Sequence, residues 1–331
     1  MKLSLCIAGC GGYAKSVLND IRDMTDILEF SFASRDVEKA KAYCRQYGGV
    51  ASFGSYEEAA SDPAVHAMYF FTPHDRHLED AKLAAQYGKH VLMEKPIART
   101  VSEAQALIDI VEEAGVKLMI AENFRFDPAV AKAKELIDQG TIGDLRFVDI
   151  RSEGNDTSAS GWRLNKERTG GGRFIDGGIH DVDVLRNLGG HPDQVFAAYH
   201  LPKLVPDIEG EDGITVTARF AGGLTGLIHY SGATPVVHKR EEVRVTGTTG
   251  QIQFEVFGNQ VIVESRTGAQ AFPVEPAYRG VRRMLREFRD SIAEDREPVM
   301  SGREALNDLA VVVAAYESAE TEEAVAVADL L

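Results

Sequence analysis

The stretch Leu3-Ser4-Leu5-Cys6-Ile7-Ala8-Gly9-Cys10-Gly11-Gly12-Tyr13-Ala14 decides the fold. Its apolar half predicts a buried strand, its glycines a tight turn, and the residues beyond, through roughly Arg22, a helix. The pattern is Gly-x-Gly-x-x-Ala. Gly9 permits the turn, Gly11 lets backbone approach a pyrophosphate, and the small Ala14 lets helix and strand pack closely. With Gly12 and Tyr13 at the helix start, a phosphate would meet free N–H groups and the positive end of a helix dipole. Glycine turns are common, but a strand before and a helix after supply the context a dinucleotide site requires.

Working outward, apolar runs at Leu28 to Ser34, Ala67 to Thr72, His90 to Met93 and Lys117 to Ala121 predict further strands. They alternate with helical patterns at Val37 to Tyr47, His77 to Tyr87 and Ser102 to Ala114. That rhythm predicts an α/β fold: a doubly wound parallel sheet of the Rossmann kind over residues 1–122. After Asn123 it changes. A helix from about Pro128 to Gln139 leads to a strand, Leu145 to Ser152. A Gly-rich stretch and a helix from Gly178 to Leu188 follow, then consecutive strands from Gln194 to Glu264 and two closing helices. Residues 123–331 therefore read as an α+β domain on a large, mostly antiparallel open sheet.

With 331 residues, two domains are expected. The formal charge of −15 argues against nucleic acid or an anionic membrane as partner. Three cysteines, Cys6, Cys10 and Cys44, fit neither a disulfide framework nor a zinc site, and point to a reducing, cytoplasmic setting. The longest apolar run, Leu309 to Tyr316, is far too short to span a bilayer.

The choice of dinucleotide is made about 20 residues beyond the glycines, where an NAD site places an acid for the ribose hydroxyls. Here the strand ends Ala33-Ser34-Arg35. A hydroxyl and a guanidinium suit a 2′-phosphate, so NADP is expected, with NAD possible through Asp36. A competing reading makes Arg35 an ordinary solvated helix-start residue.

Two further segments carry chemistry. Glu94-Lys95-Pro96 follows a strand, at the sheet edge where ligands bind. A lysine there suits a carbonyl oxygen that gathers charge and then a proton, although most single lysines are only surface charges. The second segment runs from Gly170 to Asp183, and within it Asp176 and His180 are four apart, on one face if helical. General acid–base work, a metal site with the neighbouring aspartates, and helix capping all fit that pair.

Taken together, the segments resemble the Gfo/Idh/MocA oxidoreductases over essentially the whole chain. The resemblance rests on Gly9 to Ala14, Thr72-Pro73 with His77, Gly88-Lys89-His90-Val91, and Glu94-Lys95-Pro96. It continues through Asn123-Phe124-Arg125-Phe126 with Pro128, Ile142-Gly143, and the Gly170 to Asp183 block. It implies that Lys95 is the catalytic lysine and His180 the proton-transferring residue. Asp176 would contact substrate or support His180, and no metal is involved. It implies cofactor contacts from Thr72, Pro73, His77, Glu94 and Pro96, and a cis peptide between Lys95 and Pro96. It also implies a substrate-binding second domain that forms a homodimer or homotetramer.

Family members act mostly on sugars, polyols and related carbonyl compounds. The loop Thr157 to Arg163 precedes the glycine run, so Trp162 and Arg163, with Asn123, are candidate substrate contacts, Trp162 by stacking on a ring and Arg163 by binding an acidic group. Two rival functions stay open: an NAD-requiring glycoside hydrolase built on the same scaffold, and a nucleotide-sensing regulator that binds NADP without turnover.

Overall fold

Every residue of β1, Leu3–Ala8, is buried, as expected of a central strand whose two faces are both covered by helices. In this computed structural model, which describes residues 2–155, 161–235, 240–275 and 278–331, β1 is followed by α1 (Gly12–Ile21) and β2 (Leu28–Ala33). Then come α2 (Val37–Tyr47), β3 (Ala51–Phe53), α3 (Tyr56–Ser61), β4 (Ala67–Phe70), α4 (His77–Gln86), β5 (His90–Met93), α5 (Val101–Glu113) and β6 (Leu118–Ile120). All six strands pair in parallel, in the order β3-β2-β1-β4-β5-β6. The order reverses between β1 and β4, and ligands bind outside the carboxyl ends of the strands at such a reversal.

Local chemistry sets the helix starts. Asp36 caps α2 through the amides of Glu38 and Lys39, Ser55 caps α3, and Thr100 caps α5. Helix α1 differs: its N-cap is Gly11, and no side chain caps it.

The next elements are α6 (Pro128–Asp138), β7 (Leu145–Glu153), α7 (Lys166–Thr169) and α8 (Ile179–Gly189). Seven strands follow: β8 (Pro192–Tyr199), β9 (Gly213–Phe220), β10 (Thr225–Ser231), β11 (Arg240–Gly247), β12 (Gly250–Glu255), β13 (Gln260–Ser265) and β14 (Gly268–Pro273). Helices α9 (Val281–Ala293) and α10 (Gly302–Thr321) and the short β15 (Val325–Ala326) complete the chain. Strands β7 to β15 form one nine-stranded sheet, β14-β13-β12-β11-β7-β10-β9-β8-β15, antiparallel except where β7 lies parallel to β10. Alternation decides its faces. Ile228 and Tyr230 are buried, and Gly226 lies against Leu185 of α8, while Leu227 and His229 point the other way and are half-exposed.

By internal contact the chain divides into two compact units. One is Met1–Glu122 with Val281–Leu306, the other Asn123–Gly280 with Asn307–Leu331. The sequence reading placed everything after residue 122 in one domain, whereas α9 groups with the first unit. Its reason is an apolar stripe, Val281, Met284, Leu285 and Phe288, at helical spacing and buried. Arg282 donates to the carbonyl of Asp20 at 2.7 Å and pairs with Asp23. The Ile120 amide donates to Met300 O at 2.9 Å, extending the contact to β6. Among the described residues no helix is long and apolar enough to cross a membrane, and Cys6, Cys10 and Cys44 are free thiols.

Candidate active site

The glycine turn after β1 is built for close approach. Gly9 sits at φ 105°, and a Cβ there would stand 2.9 Å from Phe71 O, so neither the backbone angle nor the space admits a side chain. Around Gly11 and Gly12 the opposite holds: nothing lies within 4 Å of where a Cβ would be. Open space thus faces the uncapped N-terminus of α1, and a dinucleotide pyrophosphate fits that cradle. The Tyr43 hydroxyl steadies the turn by donating to Gly11 O at 3.1 Å. Burial pushes the Cys10 thiol up to about 11 against the pull of the Lys39 charge, so a cation that the sequence reading did not single out stands near the turn.

At the end of β2, Ser34 is buried and its Oγ accepts from the Asp36 amide at 3.2 Å. The Asp36 carboxylate is engaged in capping α2, accepting from Glu38 N at 3.1 Å and Lys39 N at 3.4 Å. Arg35 is exposed. Burial and the Asp80 charge push the Tyr56 phenol up, and the charges of Arg35 and Arg76 pull it back, which sets both guanidiniums near that ring.

At the end of β5, Glu94 is buried and Lys95 half-buried, and the Lys95–Pro96 peptide is cis. The Tyr69 hydroxyl, from β4, donates to Glu94 Oε1 at 2.7 Å. Burial pushes the Glu94 carboxyl up to about 7, with Glu122 adding to the rise and Tyr69 and the Lys95 charge opposing it. His77 is fully buried between two loops of this edge, Nδ1 against Pro96 O at 2.9 Å and Nε2 against Thr72 O at 3.1 Å. Burial, with His74 adding to it, pushes His77 down to about 4, so it is neutral at physiological pH and donates to one carbonyl at a time. His77 therefore serves this edge by tying Thr72-Pro73 to Pro96. Because the strands are parallel, the glycine turn after β1 and Lys95 after β5 share one sheet edge, two strands and roughly 10 Å apart.

In the second unit, Asp176 and His180 lie at the start of a helix, but not of a uniform one. Phe174–Gly178 forms a π-turn that runs into α8 at Ile179. Insertions of this kind are frequent at functional sites. Arg163 Nε donates to Asp176 Oδ2 at 3.0 Å while its guanidinium lies 4.7 Å from the Trp162 ring centre, so three sequence candidates are brought together. Residues Thr157 to Ser160 of that loop lie outside the described residues. Asn123 is buried and its amide donates to Arg279 O at 2.6 Å, an assignment to the protein's own backbone.

Several supporting residues were missed in the sequence. The Phe124 ring stacks on His180, and Phe257 meets Phe124 edge-on. Arg125 grips Asp183, one turn beyond His180, with Nε 3.0 and 3.1 Å from the two carboxylate oxygens. Arg186 pairs with the buried Asp308. The adjacent residues Phe124 and Arg125 thus hold two successive turns of α8. Their only sequence signal was position within Asn123-Phe124-Arg125-Phe126.

A glycine cradle at a Rossmann switch point, with a lysine on the same sheet edge, suits a nucleotide-binding enzyme. Residues 3–122 match the model described as "Oxidoreductase family, NAD-binding Rossmann fold", and residues 130–253 match the GFO/IDH/MocA C-terminal domain. The chain belongs to the Gfo/Idh/MocA oxidoreductase family. It is 30% identical to 1,5-anhydro-D-fructose reductase of Ensifer adhaerens, over 89% of each chain. It is also 30% identical to the NADP(+) D-xylose 1-dehydrogenase of Haloarcula marismortui, over 92% of this chain and 87% of that one. Levoglucosan dehydrogenase, in complex with NADH and levoglucosan, superposes with a TM-score of 0.90 at 25% identity, covering 99% of this chain and all of that one.

Proposed function

We propose that the protein is an NADP-dependent dehydrogenase or reductase acting at a carbonyl or hydroxyl carbon of a sugar, a polyol or a close relative. The observation that carries this reading is the single sheet edge that presents both the open phosphate cradle and Lys95. Preference for NADP is supported by the capping role of Asp36, whose Oδ1 accepts two amides at the start of α2, and by the Ser34 hydroxyl and exposed Arg35 guanidinium, which suit a 2′-phosphate.

When bound, the nicotinamide supplies or accepts the hydride. The residues of this chain handle charge and protons. The Lys95 ammonium, hydrogen-bonded to the reacting oxygen, stabilises the negative charge that gathers there more strongly in the transition state than in the ground state. His180 transfers the proton at that oxygen, and Asp176 contacts substrate or supports His180. Trp162 offers a half-buried indole to a sugar ring. Arg163 orients Asp176 and keeps further N–H donors for an acidic or hydroxyl group. The second unit binds substrate and self-associates through the half-exposed sheet face that carries Leu227 and His229. Light scattering should give a dimer or tetramer, and a monomer at micromolar concentration would remove that part. Three free thiols fit a cytoplasmic setting.

The test is a panel of sugars, polyols and diketones with NADP and with NAD, followed at the nicotinamide absorbance. Absorbance change with at least one sugar or polyol, faster with NADP, is expected. Release of sugar from an aryl glycoside with no net absorbance change would replace the dehydrogenase reading by the hydrolase one.

A further inference from the structure

The helix that carries Asp176 and His180 receives no side-chain cap from its own N-cap residue, Arg173. The first N–H groups of a helix nevertheless need acceptors. Four consecutive amides find theirs on just two residues distant in sequence. Gly172 N donates to Tyr316 Oη at 3.3 Å and Ile175 N to the same oxygen at 3.0 Å. Arg173 N donates to the backbone oxygen of Glu211 at 2.8 Å, and Phe174 N to Glu211 Oε1 at 2.6 Å. The Tyr316 hydroxyl then donates to Glu211 Oε1 at 3.0 Å, which closes the network. One O–H and two lone pairs are all a phenol has to offer, and each is used.

The glycine run makes this approach possible. A Cβ on Gly171 would strike the Tyr316 ring, and one on Gly172 would strike the backbone and carboxylate of Glu211. Gly210, beside Glu211, is likewise pressed against the backbone of Gly172. Glu211 is buried, and burial pushes its carboxyl up against the amides and the phenol that hold it down. A buried carboxyl and a half-buried phenol, bonded to each other, therefore set the π-turn's entry, two residues before Asp176.

We propose that Glu211 and Tyr316 are positioning residues: they form a cap in trans that fixes the π-turn and so aims Asp176 and His180 at substrate. This rests on the reading of Asp176 and His180 as the substrate-contacting, proton-handling pair. Neither capping residue touches the reacting atoms, so their loss should appear in kcat rather than in cofactor affinity.

The experiment compares Tyr316→Phe, Glu211→Gln, His180→Asn and a control, Ser318→Ala, in the full-length protein. Ser318 is buried two residues beyond Tyr316, and its hydroxyl accepts from Ala197 N at 3.0 Å, so its removal disturbs the same helix without touching the cap. Hydrogen exchange, melting temperature, NADPH affinity and steady-state kinetics are read on each. Tyr316→Phe should speed exchange about 10-fold at Gly172 and Ile175 but not at Arg173, and Glu211→Gln should act at Phe174. Turnover should fall about 10- to 100-fold in Tyr316→Phe, the scale for displacing a reacting group from a distance, with NADPH affinity unchanged. Ser318→Ala should keep its turnover at a comparable loss of melting temperature. Turnover that falls equally in Ser318→Ala, or survives in Tyr316→Phe while His180→Asn is inactive, would overturn the cap's role alone. Full activity in His180→Asn would overturn the reading of the site and this inference with it.

Discussion

The imidazole of His180 lies flat on the ring of Phe124, with centroids 4.2 Å apart and planes within 4°. Phe257, at φ 62°, meets the Phe124 ring edge-on, with centroids 4.8 Å apart. A histidine that moves a proton must present one ring nitrogen in a fixed direction, and a stacked ring restricts its rotation. Phe124→Leu keeps apolar volume but removes the stack, which is worth about 0.5–1.5 kcal/mol beyond area burial. Turnover should fall about 2- to 10-fold while NADPH affinity holds. Steady-state kinetics and a cofactor titration check this, and an unchanged kcat would show that the stack is only packing.

Arg35 is the residue expected to separate the cofactors. On the proposed reading, the Ser34 hydroxyl and the Arg35 guanidinium meet the ribose end of the cofactor, while Asp36 caps α2 through Oδ1. Arg35→Ala should weaken NADPH by about 1.5–3 kcal/mol, the range for a hydrogen bond to a charged group, and leave NADH nearly unchanged. Calorimetric titration of both cofactors reads the difference, and equal losses would make Arg35 structural.

Glu94 should leave a mark on stability against pH. Its carboxyl titrates near 7 in the folded protein and near its ordinary 4.5 when unfolded. Below about pH 4.5 both states hold the proton. Between 4.5 and 7 the folded state keeps a proton the unfolded state has released, so stability falls as pH rises. Above 7 the loss is complete, at about 3 kcal/mol if one pKa unit is worth about 1.4. Glu94→Gln should remove this slope, so its melting temperature should gain on the wild type from pH 4.5 to 7. Parallel curves would mean that the carboxyl stays ionised beside Lys95.

Much of this was legible in the sequence, for reasons visible in particular residues. The runs at Leu3–Ala8 and His90–Met93 are apolar and bounded by glycines or helices, and both are strands. Helix α2 spans Val37–Tyr47 as read. Strand β3, Ala51–Phe53, escaped because three half-buried residues carry no periodicity. The return of α9 to the first unit escaped because an apolar stripe says that a helix is buried, not against what. Spacing placed Asp176 and His180 on one helical face, but a π-turn has no sequence period of its own, so the change of winding between them was invisible. Arg163 was read as a substrate contact, and its bond to Asp176 depends on a fold in the chain that no local pattern encodes. The cap on that helix escaped too, although the run Gly170-Gly171-Gly172 was its trace: three glycines mark a place where something must come close.

The central claim is that Lys95 stabilises charge on the reacting oxygen, and Lys95→Ala tests it most directly. Turnover and NADPH affinity are to be measured on the same preparation, with melting temperature as the check on folding. Losing one such donor costs about 10²–10³-fold in turnover, and that drop is expected here. Cofactor affinity should persist, because on the proposed reading the pyrophosphate would be held by backbone at Gly11 and Gly12 rather than by this side chain. A well-folded Lys95→Ala that turns over its substrate at the wild-type rate would contradict the account.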